Sequence, residues 1–194
     1  MVPARSEYSR RTRETSVEVN LSLYGSGDIQ VDTGLGSLDH MLHLCGFWAG
    51  FDLGVTARGD LHVDSHHTVE DTGLGLGRAL KEALGEAEGL ARVGWAKVPM
   101  DEALVEAVVD LSGRPYLVYR EEVLPAMVLG EEKDVWREFF KSVVNQARIN
   151  LHLCFAYGDN GHHLLEAAFK AFGQALGSAA AQTGRGVKST KGTL

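Results

Sequence analysis

The chain predicts an α+β fold made of two halves with one plan, and three observations carry that prediction. A five-residue signature, His-His-x-x-Glu, occurs twice, at His66-His67-Thr68-Val69-Glu70 and at His162-His163-Leu164-Leu165-Glu166. Each copy opens a segment whose apolar residues recur at helical spacing. The elements leading to each copy follow in the same order: strand, strand, helix, strand. With 194 residues, 44% of them hydrophobic, the chain has material for one compact domain or two small halves packed together.

Residues 15–23 place Val17, Val19, Leu21 and Leu23 on one side and Ser16, Glu18, Asn20 and Ser22 on the other. That period of two marks a half-buried strand. A Gly-Ser-Gly-Asp turn at 25–28 leads into a short strand over 29–32. Ser37, after Gly34 and Gly36, is expected to cap a helix that runs to Trp48. Residues 51–58 read as a strand and 65–84 as the first motif helix.

The second half repeats the order with a strand over 103–111, a turn at Ser112-Gly113-Arg114-Pro115 and a strand over 116–120. A helix over 135–147 follows, then a strand over 149–157 whose even positions are Asn150, His152, Cys154 and Ala156. The second motif helix packs through Leu165, Phe169, Phe172 and Leu176. Both helices of a half are expected to cover one sheet face, and the halves to stack on each other or on neighbouring subunits. The expected divisions are 1–95, 96–181 and a basic tail at 182–194, with the two halves forming one functional domain.

Two local matches carry less. Leu-His-Leu-Cys recurs at 42–45 and 151–154, but one copy falls on a predicted helix and the other on a predicted strand. The run Gly73, Gly75, Gly77 lies inside a helical pattern, not at a strand-to-helix turn, so close helix packing explains it better than a nucleotide loop.

A formal charge of −7 argues against a general nucleic-acid role, which needs a basic surface. No apolar run approaches the roughly 18 residues of a membrane span, and the N-terminus lacks a hydrophobic signal core. A cytoplasmic protein is expected, with Cys45 and Cys154 as buried thiols.

On a helix, residues four apart share a face and neighbours diverge by about 100°. His66 with Glu70, and His162 with Glu166, can therefore each close on one ion. His67 and His163 point sideways and would reach another. His40 and His152 are the best further donors, although a lone histidine is more often a hydrogen-bonded core residue. Mixed imidazole and carboxylate donors suit Mn, Fe, Co, Ni or Zn, and the residues alone do not choose among them. Arg92, Arg114 and the tail around Ser189 and Lys191 supply cations in an acidic chain. By charge alone the tail reads as an ordinary basic terminus.

Several stretches together resemble the imidazoleglycerol-phosphate dehydratase family of histidine biosynthesis. They are Arg13-Glu14-Thr15, residues 36–42 with Asp39 and His40, and 59–71 with the first motif. Pro99-Met100-Asp101-Glu102-Ala103, residues 110–116, the second motif and Ser189-Thr190-Lys191-Gly192 complete the set. The match runs in order over nearly the whole length. It implies a duplicated fold like ribosomal protein S5 domain 2, each half a four-stranded sheet with two helices on one face. It also implies a homo-oligomer of 24 subunits, with two Mn²⁺, or other divalent transition ions, in each site at subunit interfaces.

By that resemblance the metal ligands are His40, His66, His67, Glu70, His152, His162, His163 and Glu166. Arg92, Arg114, Ser189 and Lys191 hold the phosphate of a small phosphorylated imidazole substrate, and Glu14 contacts the substrate and carries a proton. His67, Glu70, His163 and Glu166 serve catalysis through the metals. Leu44 and Trp48 depart from the family pattern, where glutamine and histidine are common. The implied reaction removes water from imidazole-glycerol phosphate to give imidazole-acetol phosphate. Metal-held ring nitrogens make the azole an electron source that expels the neighbouring hydroxyl. A di-metal hydrolase is compatible with the ligand count alone; a metal-storage shell is a further alternative, but it would require many more ions than two per chain and would not need Arg92, Arg114 and Lys191.

Overall fold

The computed structural model describes residues 4–184, 186, 188 and 189. It consists of two halves with the same topology. In the first, β1 (Arg5–Arg11), β2 (Thr15–Ser22), β3 (Ile29–Asp32) and β4 (Asp52–Gly59) form a sheet of order β1-β2-β4-β3, with α1 (Gly36–Ala49) and α2 (His66–Leu84). In the second, β5 (Val93–Met100), β6 (Ala103–Asp110), β7 (Tyr116–Arg120) and β10 (Asn150–Tyr157) form a sheet of order β5-β6-β10-β7, with α3 (Lys133–Ala147) and α4 (Gly161–Ala180). In each sheet only the third strand runs parallel to its neighbour. A two-stranded hairpin of β8 (Met127–Val128) and β9 (Glu131–Glu132) precedes α3.

The layers run sheet, helices, helices, sheet, with α1 paired to α4 and α2 to α3. Glycines permit the close approach. A Cβ on Gly73 would lie 2.7 Å from the Phe139 carbonyl oxygen, and one on Gly77 would lie 2.5 Å from that of Val143. Gly75 faces the sheet instead, beside Val17. On α4, Gly173 and Gly177 meet the backbone of Cys45 and Ala49. Between the layers Trp136, Phe139, Phe140, Phe169 and Phe172 are fully buried with ring centroids 4.9–6.1 Å apart.

Besides the short hairpin, two strands of the main sheets were not expected from the sequence. β1 alternates between exposed and half-buried residues and carries almost no apolar signal. β5 turns small Gly94, Ala96 and Val98 inward and Val93, Trp95 and Lys97 outward, so its inner face is faint in the sequence. It also starts the second sheet at Val93, ahead of residue 96. The expected cap at Ser37 is replaced: Leu35 is the N-cap and makes no side-chain cap. Asp39 ties down the loop instead, its Oδ1 accepting from the Thr33 N–H (2.8 Å) and hydroxyl (2.6 Å). Of the two thiols, Cys45 is buried and Cys154 is half-buried on the outer sheet face.

The crossovers β3-α1-β4 and β7-α3-β10 join parallel strands, so each helix runs back against its sheet. All four helix N-termini therefore gather at one end of the molecule. Both motifs and the turns before β2 and β6 lie there. The loops at 85–92 and 111–115 lie at the other.

Candidate metal centre

α4 starts cleanly because Asn160 caps it, its Oδ1 accepting the N–H groups of His162 (2.9 Å) and His163 (3.4 Å). One turn on, Glu166 lies beneath His162, as i,i+4 spacing requires. The Oε1 of Glu166 stands 2.8 Å from His162 Nε2 and 2.9 Å from His40 Nε2, the latter reaching across from α1. One ligand atom from each of the three residues lies within 4.8 Å of the others. Lys170 Nζ donates to the other carboxylate oxygen at 2.6 Å. Burial pushes the Glu166 carboxyl up, but the bonds from Lys170, His40 and His162 outweigh it and hold it at about 2. An ionised carboxylate with two imidazole nitrogens around one point is a donor set that fits a divalent transition ion.

The first motif is built alike but lacks the third donor. His66 Nε2 lies 3.6 Å from Glu70 Oε2, and no second convergent trio exists among the described residues. Duplication explains the difference. Gly50 and Arg148, both left-handed, end α1 and α3, which aligns His40 with Glu138. Glu138 is bonded to Lys141, whose ammonium also feels the Glu70 charge.

The sideways histidines face carboxylates. His67 Nδ1 lies 3.1 Å from Asp60 Oδ2, and His163 Nδ1 lies 2.8 Å from Glu102 Oε2. Those contacts raise both imidazole pKa values, with the Glu14 charge adding to the rise at His67. Glu102 is pulled down to about 2, first by His163 and then by the backbone of Asn160. Glu14 is exposed in the β1–β2 turn, at the metal end. Sequence reasoning missed Asp60, Glu102 and Lys170 as parts of this centre. For Glu102 a signal existed, because it precedes its strand as Glu14 precedes β2.

His152 and the cationic set lie elsewhere in the chain. His152 is exposed on the outer face of the second sheet, in register with Val108 and Val118 and turned away from α4. Arg92 bonds Asp110 through Nε (2.7 Å) and Nη2 (3.2 Å), and its Nη1 donates to the Lys188 carbonyl (2.7 Å). Arg114 is exposed, its Nη1 3.5 Å from the Ser112 carbonyl. Ser189 follows Lys188, whereas Lys191 lies outside the described residues. Strand β5 runs from Arg92 to the turn at Asp101, so its eight residues separate the two sets by about 25 Å at strand rise. Leu44 is half-buried against the core and Trp48 is exposed at the far end of α1.

The family model for imidazoleglycerol-phosphate dehydratase matches residues 33–176. The chain is 62% identical over 188 residues to the imidazoleglycerol-phosphate dehydratase of Solidesulfovibrio magneticus, covering 96% of each chain. It is 50% identical to that of Methanopyrus kandleri over 97% of this chain and 96% of the relative. The crystal structure of IGPD from Pyrococcus furiosus superposes with a TM-score of 0.85 at 38% identity, covering 96% of this chain and all of the other. The enzyme from Staphylococcus aureus gives 0.81 at 35%, with 92% and 99% covered.

Proposed function

Because the chain belongs to the imidazoleglycerol-phosphate dehydratase family, we propose that its two His-His-x-x-Glu helices hold the metal centre of that reaction. The enzyme removes water from imidazole-glycerol phosphate to give imidazole-acetol phosphate in histidine biosynthesis. The observation that carries the site reading is the convergence of His40, His162 and Glu166 across the α1–α4 contact. His66, His67, Glu70, His163 and His152 complete the proposed ligand set around two ions, Mn²⁺ in our reading. Bound there, the ions supply Lewis acidity that stabilises the azole ring as it gains negative charge.

The chain's own groups do the rest. Glu14 is exposed beside His67 and makes no side-chain hydrogen bond among the described residues. It is our candidate for moving a proton at the reacting carbons. Arg92 and Arg114, with Ser189 and Lys191, fix the phosphate and spend that remote binding energy on orientation. The substrate, one ring and three carbons from its phosphate, is far shorter than the distance between the two residue sets within one chain. A working site therefore takes its metal end and its cationic end from different chains, and His152 from the outer face of a sheet. This supports a closed homo-oligomer, for which we propose 24 subunits with sites at the interfaces.

The test is direct. Metal-loaded protein should form imidazole-acetol phosphate, and His67→Ala or Glu166→Ala should abolish turnover and lower the metal content. Full turnover in stripped protein or in either variant would refute the ligand reading. Release of inorganic phosphate in place of the ketone would point to a hydrolase.

A further inference from the structure

The duplicated halves put one glutamate in one place twice, and the two copies do different things. Ser22 pairs with Asp52 in the first sheet, and Asp110 with Asn150 in the second. Counting back from these pairs, Thr15 and Ala103 open equivalent strands, and Glu14 and Glu102 directly precede them. Glu102 is fully engaged. Its Oε1 accepts the backbone N–H of Asp159 (3.2 Å) and of Asn160 (2.8 Å), and its Oε2 meets His163 Nδ1 at 2.8 Å. In the first half the corresponding histidine is served from another position. His67 Nδ1 sits 3.2 and 3.1 Å from the two carboxylate oxygens of Asp60, in the loop that enters α2. Glu14 is thereby left without a hydrogen-bond partner for its carboxylate among the described residues.

A neutral imidazole carries one N–H, and the bond made by one nitrogen decides which face the other offers. An ionised carboxylate only accepts, so a histidine held by one through Nδ1 must keep its hydrogen there. Its Nε2 is then bare and aimed by the same bond. At His163 the Nε2 also has the Asp101 carboxylate at 3.7 Å, an electrostatic setting suited to a cation.

Resting on the ligand assignment above, we propose that Asp60 and Glu102 are positioning residues. Each locks its histidine with hydrogen on Nδ1 and turns Nε2 toward the ion. Asp60 took over that task in the first half, and so released the equivalent hairpin glutamate, Glu14, for proton transfer.

The experiment titrates metal-free protein with Mn²⁺, following loss of the free-ion paramagnetic resonance signal, in the full-length chain. A glutamine at position 102 can still accept both backbone N–H groups through its carbonyl oxygen. Its amide then faces Nδ1 as a donor and drives the hydrogen to Nε2. Glu102→Gln and Asp60→Ala should each weaken Mn²⁺ binding by about 10–100-fold. Glu14→Gln should bind Mn²⁺ as the parent does. Parent-like affinity in both positioning variants, or the same loss of affinity in Glu14→Gln, would overturn the proposal. If His163→Ala also binds like the parent, the ligand assignment beneath it fails as well.

Discussion

At the residue scale, the i,i+4 rule alone puts His162 over Glu166 and His66 near Glu70. It cannot reveal the partners of His67 and His163, because Asp60 and Glu102 reach them across 7 and 61 residues. The proposed division of labour among these side chains has kinetic consequences. Glu14→Gln should lower kcat by about 10²–10⁴-fold while metal content stays at the parent level, as removal of an acid-base group does. Equal loss of metal and turnover in that variant would make Glu14 a structural residue. Arg114→Ala should raise KM for the phosphorylated substrate and leave both ions bound, measurable by steady-state kinetics with metal analysis on the same sample. The Cys45 thiol, pushed by burial up to about 12, should resist iodoacetamide at pH 8 until the protein is unfolded. Peptide mapping would read this, and rapid native labelling would contradict the packed contact between α1 and its neighbours.

At the element scale, legibility follows contrast between faces. β2 and β10 are plain because every inward residue except Thr15 is apolar and most outward ones are polar. β1 is invisible because an edge strand of Arg, Ser, Glu and Tyr has no hydrophobic period to read. β5 is hidden by the tight seat of α4, which demands Gly94 where a larger inward residue would have announced a strand. Gly73 and Gly77 in α2, with Gly173 and Gly177 in α4, have the same origin, since helix backbones meet there without side chains between them. Gly73→Ala should therefore destabilise the fold by about 1–3 kcal/mol through overpacking against α3, despite alanine's better helix propensity. Denaturant titration checks this. An unchanged or raised midpoint would mean that α2 and α3 have room to separate.

At the scale of the whole molecule, one repeated signature makes the duplication legible but not the placement of its chemistry. Topology decides that placement. Parallel third strands send every helix back the same way, gathering His40, both motifs and Glu14 at one end. The same connections leave Arg92 and Arg114 at the opposite end, and sheet alternation turns His152 outward. On the proposed reading, a site that needs all of them belongs to an assembly, and no periodicity within one chain encodes how copies meet. Mixed oligomers examine this claim most directly. His152→Ala and Glu166→Ala protein, each expected to be inactive alone, would be dissociated, combined in equal amounts and reassembled with Mn²⁺. If every site draws His152 and Glu166 from different chains, about a quarter of the sites receive both intact residues, and dehydratase activity should return to about that fraction of the parent. Activity that stays at the level of the separate variants, in oligomers shown to contain both chains, would contradict a site shared between subunits.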